Sequence, residues 1–260
     1  MNKNKHELGL PIEYQQMPEY FDLHNINEQT ESKNALIEKL LKEQKVKTVL
    51  DMTCGTGSQV FYLAKRGYKV IGNDFSPALI NIARGKAKET NLDITFIDGD
   101  MRKVKAGKFD AVISIFNAIG HLTKLDFEKA LQNIRDNLKD DGVYIFDILN
   151  LQALTNKVID DFAMSTEKVI NNVKIHSTQH SEIDRKKGLL ISYDKYTIFK
   201  DGCETKRYSN SFSLQIYTAE ELQEMLNRNG FEILSQYDMD GNKFITDKSI
   251  SNLTIARKKT

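Results

Sequence analysis

Short polar residues close several apolar runs of this chain: Asp51 in "VLDMTCGTG", Asp74 in "VIGNDFS", Asp100 in "FIDGDMR", Asn117 in "VISIFNAIGHL" and Asp147 in "VYIFDILN". Side-chain oxygens gathered in this way accept hydrogen bonds from a donor-rich ligand. Gly55 and Gly57, just after Asp51, let the backbone approach a ligand closely. The helix that follows points its positive end at the same place. Such a turn commonly cradles a phosphate, yet a carboxylate beneath it is a poor neighbour for one. A zwitterion suits both features, with its carboxylate on the turn and its ammonium on Asp51. Asp74 follows Asp51 by 23 positions, the spacing at which an acid bonds ribose hydroxyls. Asp100 suits an exocyclic amine of a base.

The elements that must position these residues follow from the pattern. "KTVLDM", "YKVIGND", "ITFIDGD", "FDAVISIF" and "VYIFDILN" read as strands. The fourth is almost wholly apolar, as a strand buried on both faces should be. Helices lie between them: "SQVFYLAKRG" closing at Gly67, "SPALINIARGKAKET" capped by Ser76 with Pro77 at its first position, and "KLDFEKALQNIRDNLKDDG" ending near Gly142. This alternation predicts an α/β fold with a Rossmann-like, doubly wound, seven-stranded and mostly parallel sheet, whose ligands bind beyond the carboxyl ends of the strands. An earlier helix is expected from about Glu31 to Glu43, within an N-terminal arm and helix (1–44) that caps the site. From about Glu167 to Tyr217 the chain turns rich in β-branched and aromatic residues, in three runs, "KVINNVKIHSTQHSEI", "GLLISYDKYTIF" and "KRYSNSFSLQIY". These predict an antiparallel β insertion (166–217) over the rim, as an acceptor lid or a dimer contact. The main domain then comprises 45–165 and 218–260. "TAEELQEMLNRNG" opens with a capping box of Thr218 and Glu221, and "FEILSQYDM" and "NLTIARKK" complete the sheet as an antiparallel pair at its edge.

The totals exclude several classes. The chain has 260 residues, with 37 Lys and Arg against 36 Asp and Glu. That balance argues against a nucleic-acid partner. No apolar run approaches the roughly 18 residues of a membrane span, and the opening "MNKNKHELGLPIEY" lacks the apolar core of a signal peptide. Two cysteines without a CxxC disfavour a disulfide framework or structural zinc, so a cytoplasmic location is expected. "GTGSQV" has Val60 where a dinucleotide fingerprint wants Gly or Ala, and no GK[ST] marks a P-loop. His176 and His180 stand four apart, but no carboxylate or cysteine completes a metal set.

Amino acid, ribose and adenine together describe S-adenosylmethionine, and over about residues 45 to 150 the sequence resembles the class I S-adenosylmethionine-dependent methyltransferases. "VLDMTCGTG" looks like their first motif, departing from it at Thr53 and Cys54. "VIGNDFSPALINIAR", "FIDGDMRKV" and "FDAVISIFNAIGHL" look like the second, third and fourth. The resemblance implies a cofactor site of Asp51, Cys54, Gly55, Gly57, Asp74, Phe75, Asp100, Met101, Arg102, Phe116 and Asn117. In it Met101 offers its backbone to adenine, and Phe116 and Asn117 flank the sulfonium. "GDMR", "SIFNAIGHL" and the insertion look most like small-molecule N-methyltransferases of the amino-sugar and glycine–sarcosine kinds. The expected reaction is in-line methyl transfer to a small-molecule acceptor, with an amine nitrogen expected first. O-methylation of a hydroxyl or carboxylate, and a non-catalytic binding module, remain open. The product would be S-adenosylhomocysteine, with no metal, no membrane partner and a possible homodimer. His121 and Tyr20 are the catalytic candidates. Asp147, Asn150, Tyr193 and Tyr217 are the acceptor candidates, the tyrosines within an aromatic wall with Tyr196, Phe199, Tyr208 and Phe212.

Overall fold

The computed structural model describes residues 6–170 and 172–259; the first five residues of the expected arm, and position 171 within the first run of the insertion, lie outside the described residues. The arm contains two single 3-10 turns and helix α1 (Phe21–Asn25), followed by α2 (Glu28–Glu43). Helix α2 starts three residues before the expected Glu31, because Asn27 and Thr30 close a reciprocal capping box at its N-terminus. Then come β1 (Thr48–Asp51), α3 (Ser58–Ala64), β2 (Lys69–Asp74), α4 (Pro77–Glu89), β3 (Thr95–Asp98), β4 (Phe109–Ser114), α5 (Lys124–Asn137) and β5 (Leu138–Leu149). A short helix α6 (Asn156–Asp161) leads into β6 (Met164–Ile170), β7 (Val173–Asp184), β8 (Leu189–Lys200) and β9 (Cys203–Gln215). The chain ends with α7 (Ala219–Arg228), β10 (Phe231–Tyr237) and β11 (Ser251–Lys258).

Seven strands form one sheet in the order β10-β11-β5-β4-β1-β2-β3. Its pairings are parallel from β5 through β3, and β11 runs antiparallel to both β5 and β10. Alternate side chains feed two apolar layers. Val49, Ile113, Ile145 and Ile255 pack with Ile37, Leu41, Leu63 and Ile80 of α2, α3 and α4. Leu50, Val112, Tyr144 and Phe146 pack with Phe127, Leu131 and Leu222 of α5 and α7. Each such fully buried side chain contributes about 1.5–3 kcal/mol. The strand order reverses between β1 and β4, so the carboxyl ends of β1 and β4 diverge around a crevice. Helix α5 ends at Asn137, short of the expected Gly142. Leu138 pairs with Phe109, and Ala111 with Val143, with an irregularity between them, so tertiary pairing turns this polar stretch into the start of β5.

The second sheet has four strands, β6-β7-β8-β9, all antiparallel. The β-branched and aromatic runs of the sequence predict three; the first run divides into β6 and β7 between Ile170 and Val173. Along β8 the buried residues are Leu190, Ser192, Asp194, Tyr196 and Ile198, so one face of this sheet turns inward and carries polar as well as apolar groups. No helix among the described residues is long and apolar enough to cross a membrane.

Candidate active site

A cleft with about 1090 Å³ of empty space, open solvent at its mouth included, lies beyond the carboxyl ends of β1, β2 and β4. Of the expected site residues it gathers Asp51, Cys54, Gly55, Asp74, Phe75, Asp100, Met101, Phe116 and His121. The arm and helix expected to cap the site supply lining residues that the sequence did not single out: Tyr14, Phe21, Asn25 and Ile26 of the arm, and Thr30 of α2.

The floor is a set of buried carboxyls. Asp51 is 4% exposed and accepts a hydrogen bond from the Thr53 amide at 3.1 Å. Asp74, 3% exposed, accepts from the Gly55 amide at 2.8 Å and from the Ser76 amide at 2.9 Å, which ties the glycine turn to the end of β2. Burial pushes Asp51 up to about 7, only partly offset by the Thr53 amide, with the nearby Asp74 adding to the rise. Burial likewise pushes Asp74 up to about 6, against the Ser76 and Gly55 amides that favour its charge. Gly55 and Gly57 both have left-handed backbone, with φ of +54° and +93°, a conformation natural only to glycine. Gly57 supports the turn from outside the cleft lining.

Asp100 is different. Burial alone would raise its carboxyl, but the Arg102 guanidinium and amide bring it below the usual carboxylate range. Arg102 Nη2 reaches Asp100 at 2.6 Å, and its Nη1 reaches Asp126 on α5 at 2.6 Å. Arg102 therefore points away from the cleft and orients Asp100 from behind, in place of the direct cofactor contact expected for it.

At the far wall the chain leaves β4 through two consecutive left-handed residues, Phe116 (φ +66°) and Asn117 (φ +57°). The Asp147 carboxylate holds this turn by accepting from the Asn117 amide at 2.9 Å, while Asn117 Oδ1 accepts from the Leu149 amide at 3.1 Å. Phe116 is thereby presented to the cleft, 43% exposed. Beyond it the buried His121 ring packs against Tyr14 (5.4 Å, edge-on) and Phe212 of β9 (6.0 Å). Burial, and then the neighbouring His6, hold the His121 imidazole down at about 3, so it is neutral at any ordinary pH. Burial pushes the Tyr14 phenol well above its usual range.

The remaining expected residues lie elsewhere. Asn117 and Asp147 buttress the wall from outside the cleft lining. Asn150 is buried and donates to the carbonyls of Thr246 and Ser249, a bracing role for the loop before β11. Tyr217 is sealed in the main core against Phe127. Tyr193 stands on the outer face of β8, stacked on His180 at 4.8 Å. Tyr20 packs among Ile12, Met17 and Tyr196, and the arm tyrosine that lines the cleft is Tyr14.

The cleft lining contains three aspartates and, among the described residues, no lysine or arginine. Burial raises two of those carboxyls, Asp51 and Asp74, and no positive side chain in the lining offsets it. Thr53 Oγ1 and His121 Nδ1 are buried without a hydrogen-bond partner among the described residues. A cationic, hydrogen-bonding ligand would satisfy all of these groups, and a phosphate would oppose them. S-adenosylmethionine, with its ammonium and sulfonium, fits that chemistry.

Comparison with known proteins gives the same class. The family model described as a methyltransferase domain matches residues 49–142. A glycine/sarcosine N-methyltransferase of Parasynechococcus marenigrum is 33% identical over 132 residues, 49% of this chain and 47% of that protein. Among solved structures, an S-adenosylmethionine-dependent methyltransferase from Clostridium acetobutylicum superposes with a TM-score of 0.76 at 19% identity, over 94% of this chain and 97% of the other. An amino pentose methyltransferase from Micromonospora echinaspora, solved with S-adenosylmethionine bound, has a TM-score of 0.72 at 17% identity, over 98% and 100%. At these identities the structural likeness is one of fold.

Proposed function

We propose that this chain is a class I S-adenosylmethionine-dependent methyltransferase, as its methyltransferase-domain match and its fold support, and that it carries the methyl group to the amine nitrogen of a small molecule. The observation that supports an amine is the proton inventory around the cleft. A hydroxyl must lose its proton as it attacks, whereas a neutral amine attacks with a free lone pair. His121, held at about 3, is a weak base, and the Tyr14 phenol is held neutral. Asp100 is committed to Arg102, and Asp51 sits under the glycine turn. The cleft can align a nucleophile better than it can deprotonate one. The names of two similar proteins, a glycine/sarcosine N-methyltransferase and an amino pentose methyltransferase, point the same way.

Bound S-adenosylmethionine supplies a methyl group already activated by its sulfonium. In this reading Asp51 takes the ammonium of the donor, and Asp74 offers its remaining lone pairs to the ribose hydroxyls. Asp100 and the Met101 backbone meet the adenine. Phe116 and the arm residues Tyr14 and Phe21 exclude water from the reacting end and hold the acceptor in line. Neutral His121 can accept a hydrogen bond from an incoming amine without adding a repelling charge. The inward face of the four-stranded sheet, which reaches His121 through Phe212, forms the acceptor side.

Incubation of the protein with methyl-labelled S-adenosylmethionine and a pool of small metabolites, read by mass spectrometry, tests the proposal. Label is expected on amine-bearing compounds. Label confined to hydroxyls or carboxylates would replace the amine reading with an O-methyltransferase. Donor binding without label in any compound would favour a binding module.

A further inference from the structure

Glu13 is the arm's most unusual residue. It is a carboxyl only 7% exposed, next in sequence to Tyr14 in the cleft. Its Oε1 accepts from the Tyr196 hydroxyl at 3.0 Å, and its Oε2 is buried with no side-chain partner among the described residues. Asp194 of β8 is a second buried carboxyl that acts on Glu13; it is 3% exposed, hydrogen-bonded by Gln179 Nε2 at 2.9 Å, and itself raised by burial against the Gln179 and Asn210 side chains. An ionised Glu13 would face Asp194 with one oxygen unsatisfied, an arrangement that costs several kcal/mol in a buried site. A protonated Glu13 has no such conflict. The other titratable groups packed here do not relieve it. Tyr14 and Tyr196 are phenols held neutral by burial first. His24, edge-on to Tyr196 at 5.4 Å, is held down at about 4 by burial and by Lys168. His180 lies across from Tyr193, beside Asp194, on the outer face of the sheet.

The arm that carries Glu13 bridges both sheets. Leu8 O accepts from the Ser213 amide of β9, and Leu10 O from Asn210 Nδ2. Tyr14 O accepts from Ser76 Oγ at 2.6 Å, at the entry to α4, and Asp22 pairs with Thr56 of the glycine turn and with Lys86. Residues 8–26 are thus fastened over the cleft at both ends, with Tyr14 and Phe21 beneath.

We propose that Glu13 is a positioning residue that docks the arm on the four-stranded sheet as the neutral acid, so that closure over the cleft weakens when Glu13 ionises. Burial, foremost, and then Asp194 raise this carboxyl above its ordinary 4.5, against its hydrogen bonds with the backbone and Tyr196. The docked arm therefore holds a proton that the free arm releases. Docking is complete below the ordinary value and weakens as pH rises through the raised one. The docking geometry is independent of the donor; only the consequence for donor exchange rests on the function proposed above.

Hydrogen exchange at the Ser213 amide reads docking directly, in donor-free protein, after correction for intrinsic exchange. Between about pH 5 and about pH 8 the wild-type amide should lose protection progressively, since a carboxyl raised by docking makes the docking equilibrium fall as pH rises. Glu13→Gln keeps an acceptor for Tyr196 and cannot ionise, so its protection should stay high and lose most of the wild-type pH slope. Tyr196→Phe and Glu13→Ala should lower protection at every pH, and S-adenosylhomocysteine should leave both variants faster than it leaves Glu13→Gln. A Glu13→Gln protein with the wild-type pH slope, or a Glu13→Ala protein with unchanged protection, would overturn the proposal. Exchange that follows the prediction in a protein with no affinity for S-adenosylhomocysteine would leave the docking role standing and remove the methyltransferase reading.

Discussion

Gly55→Val is expected to weaken donor binding by about 100-fold or more. Gly55 stands at φ +54°, where an L-residue costs about 1–2 kcal/mol and a β-branched one more. A Cβ there would sit 3.1 Å from Phe21 Cζ, tighter than ordinary contact, in the roof of the cleft. The turn must then leave its left-handed conformation, and with it goes the Gly55 amide that Asp74 holds at 2.8 Å. Strain and lost contacts of about 3 kcal/mol together correspond to roughly two orders of magnitude in affinity. Gly67→Ala is the matched control. Its φ of +87° is also left-handed, but nothing lies within 4 Å of its Cβ position and it closes α3 away from the cleft. It should lower stability by about 1 kcal/mol and leave donor affinity unchanged. Calorimetric titration with S-adenosylhomocysteine, beside thermal melts of both variants, separates the two effects. Equal affinity in Gly55→Val and wild type would mean that the turn does not meet the ligand.

Asp147→Ala is expected to lower the rate of methyl transfer by about 100-fold while donor affinity changes little. The carboxylate does not line the cleft; it pins the Asn117 amide and so holds two successive left-handed residues, each strained by about 1–2 kcal/mol. Strain of this kind persists only where the surroundings enforce it. Without the carboxylate the turn relaxes, Phe116 leaves the wall, and alignment at the reacting end is lost; misplacement by about 1 Å can cost a hundredfold. Asp147→Asn keeps an oxygen acceptor and should retain most of the rate. Burial raises the Asp147 carboxyl to about 6, offset in part by the Asn117 and Phe116 amides, so the neutral side chain is close to tolerated already. Single-turnover rates at saturating donor measure this. An alanine variant as fast as wild type would show that Phe116 is held by other means.

The rim of the sheet was legible in the sequence because a parallel sheet ends its strands in one place. Asp51, Asp74 and Asp100 needed only strand ends to be found. The two sides of the four-stranded sheet were not legible. A sheet with one apolar face announces its register, but the inner face of β8 reads Ser192, Asp194, Tyr196, with aromatics on both sides. Tyr193 therefore looked as good as its neighbour, and one residue of register put it outside. The arm is harder still. It has no periodicity, and Tyr14 and Tyr20 differ only in how residues 8–26 dock, which long-range contacts with Ser76, Tyr196 and Ser213 decide. Arg102 was drawn to the site by its motif and Asp147 by its place on the fifth strand; both act one step behind it, because an ion pair or a strained turn leaves no mark in spacing. The phosphate alternative for "VLDMTCGTG" fails for a reason that sequence only suggested: the cleft has three aspartates and no basic residue among its described lining.

The most direct test of the account is calorimetric titration of S-adenosylmethionine into the wild-type protein and into Asp74→Ala. The account predicts saturable binding of one donor per chain, and its near-complete loss when the Asp74 carboxylate, which serves both the Gly55 turn and the ribose, is removed. No heat with the wild-type protein, or an undiminished affinity in Asp74→Ala, would contradict it.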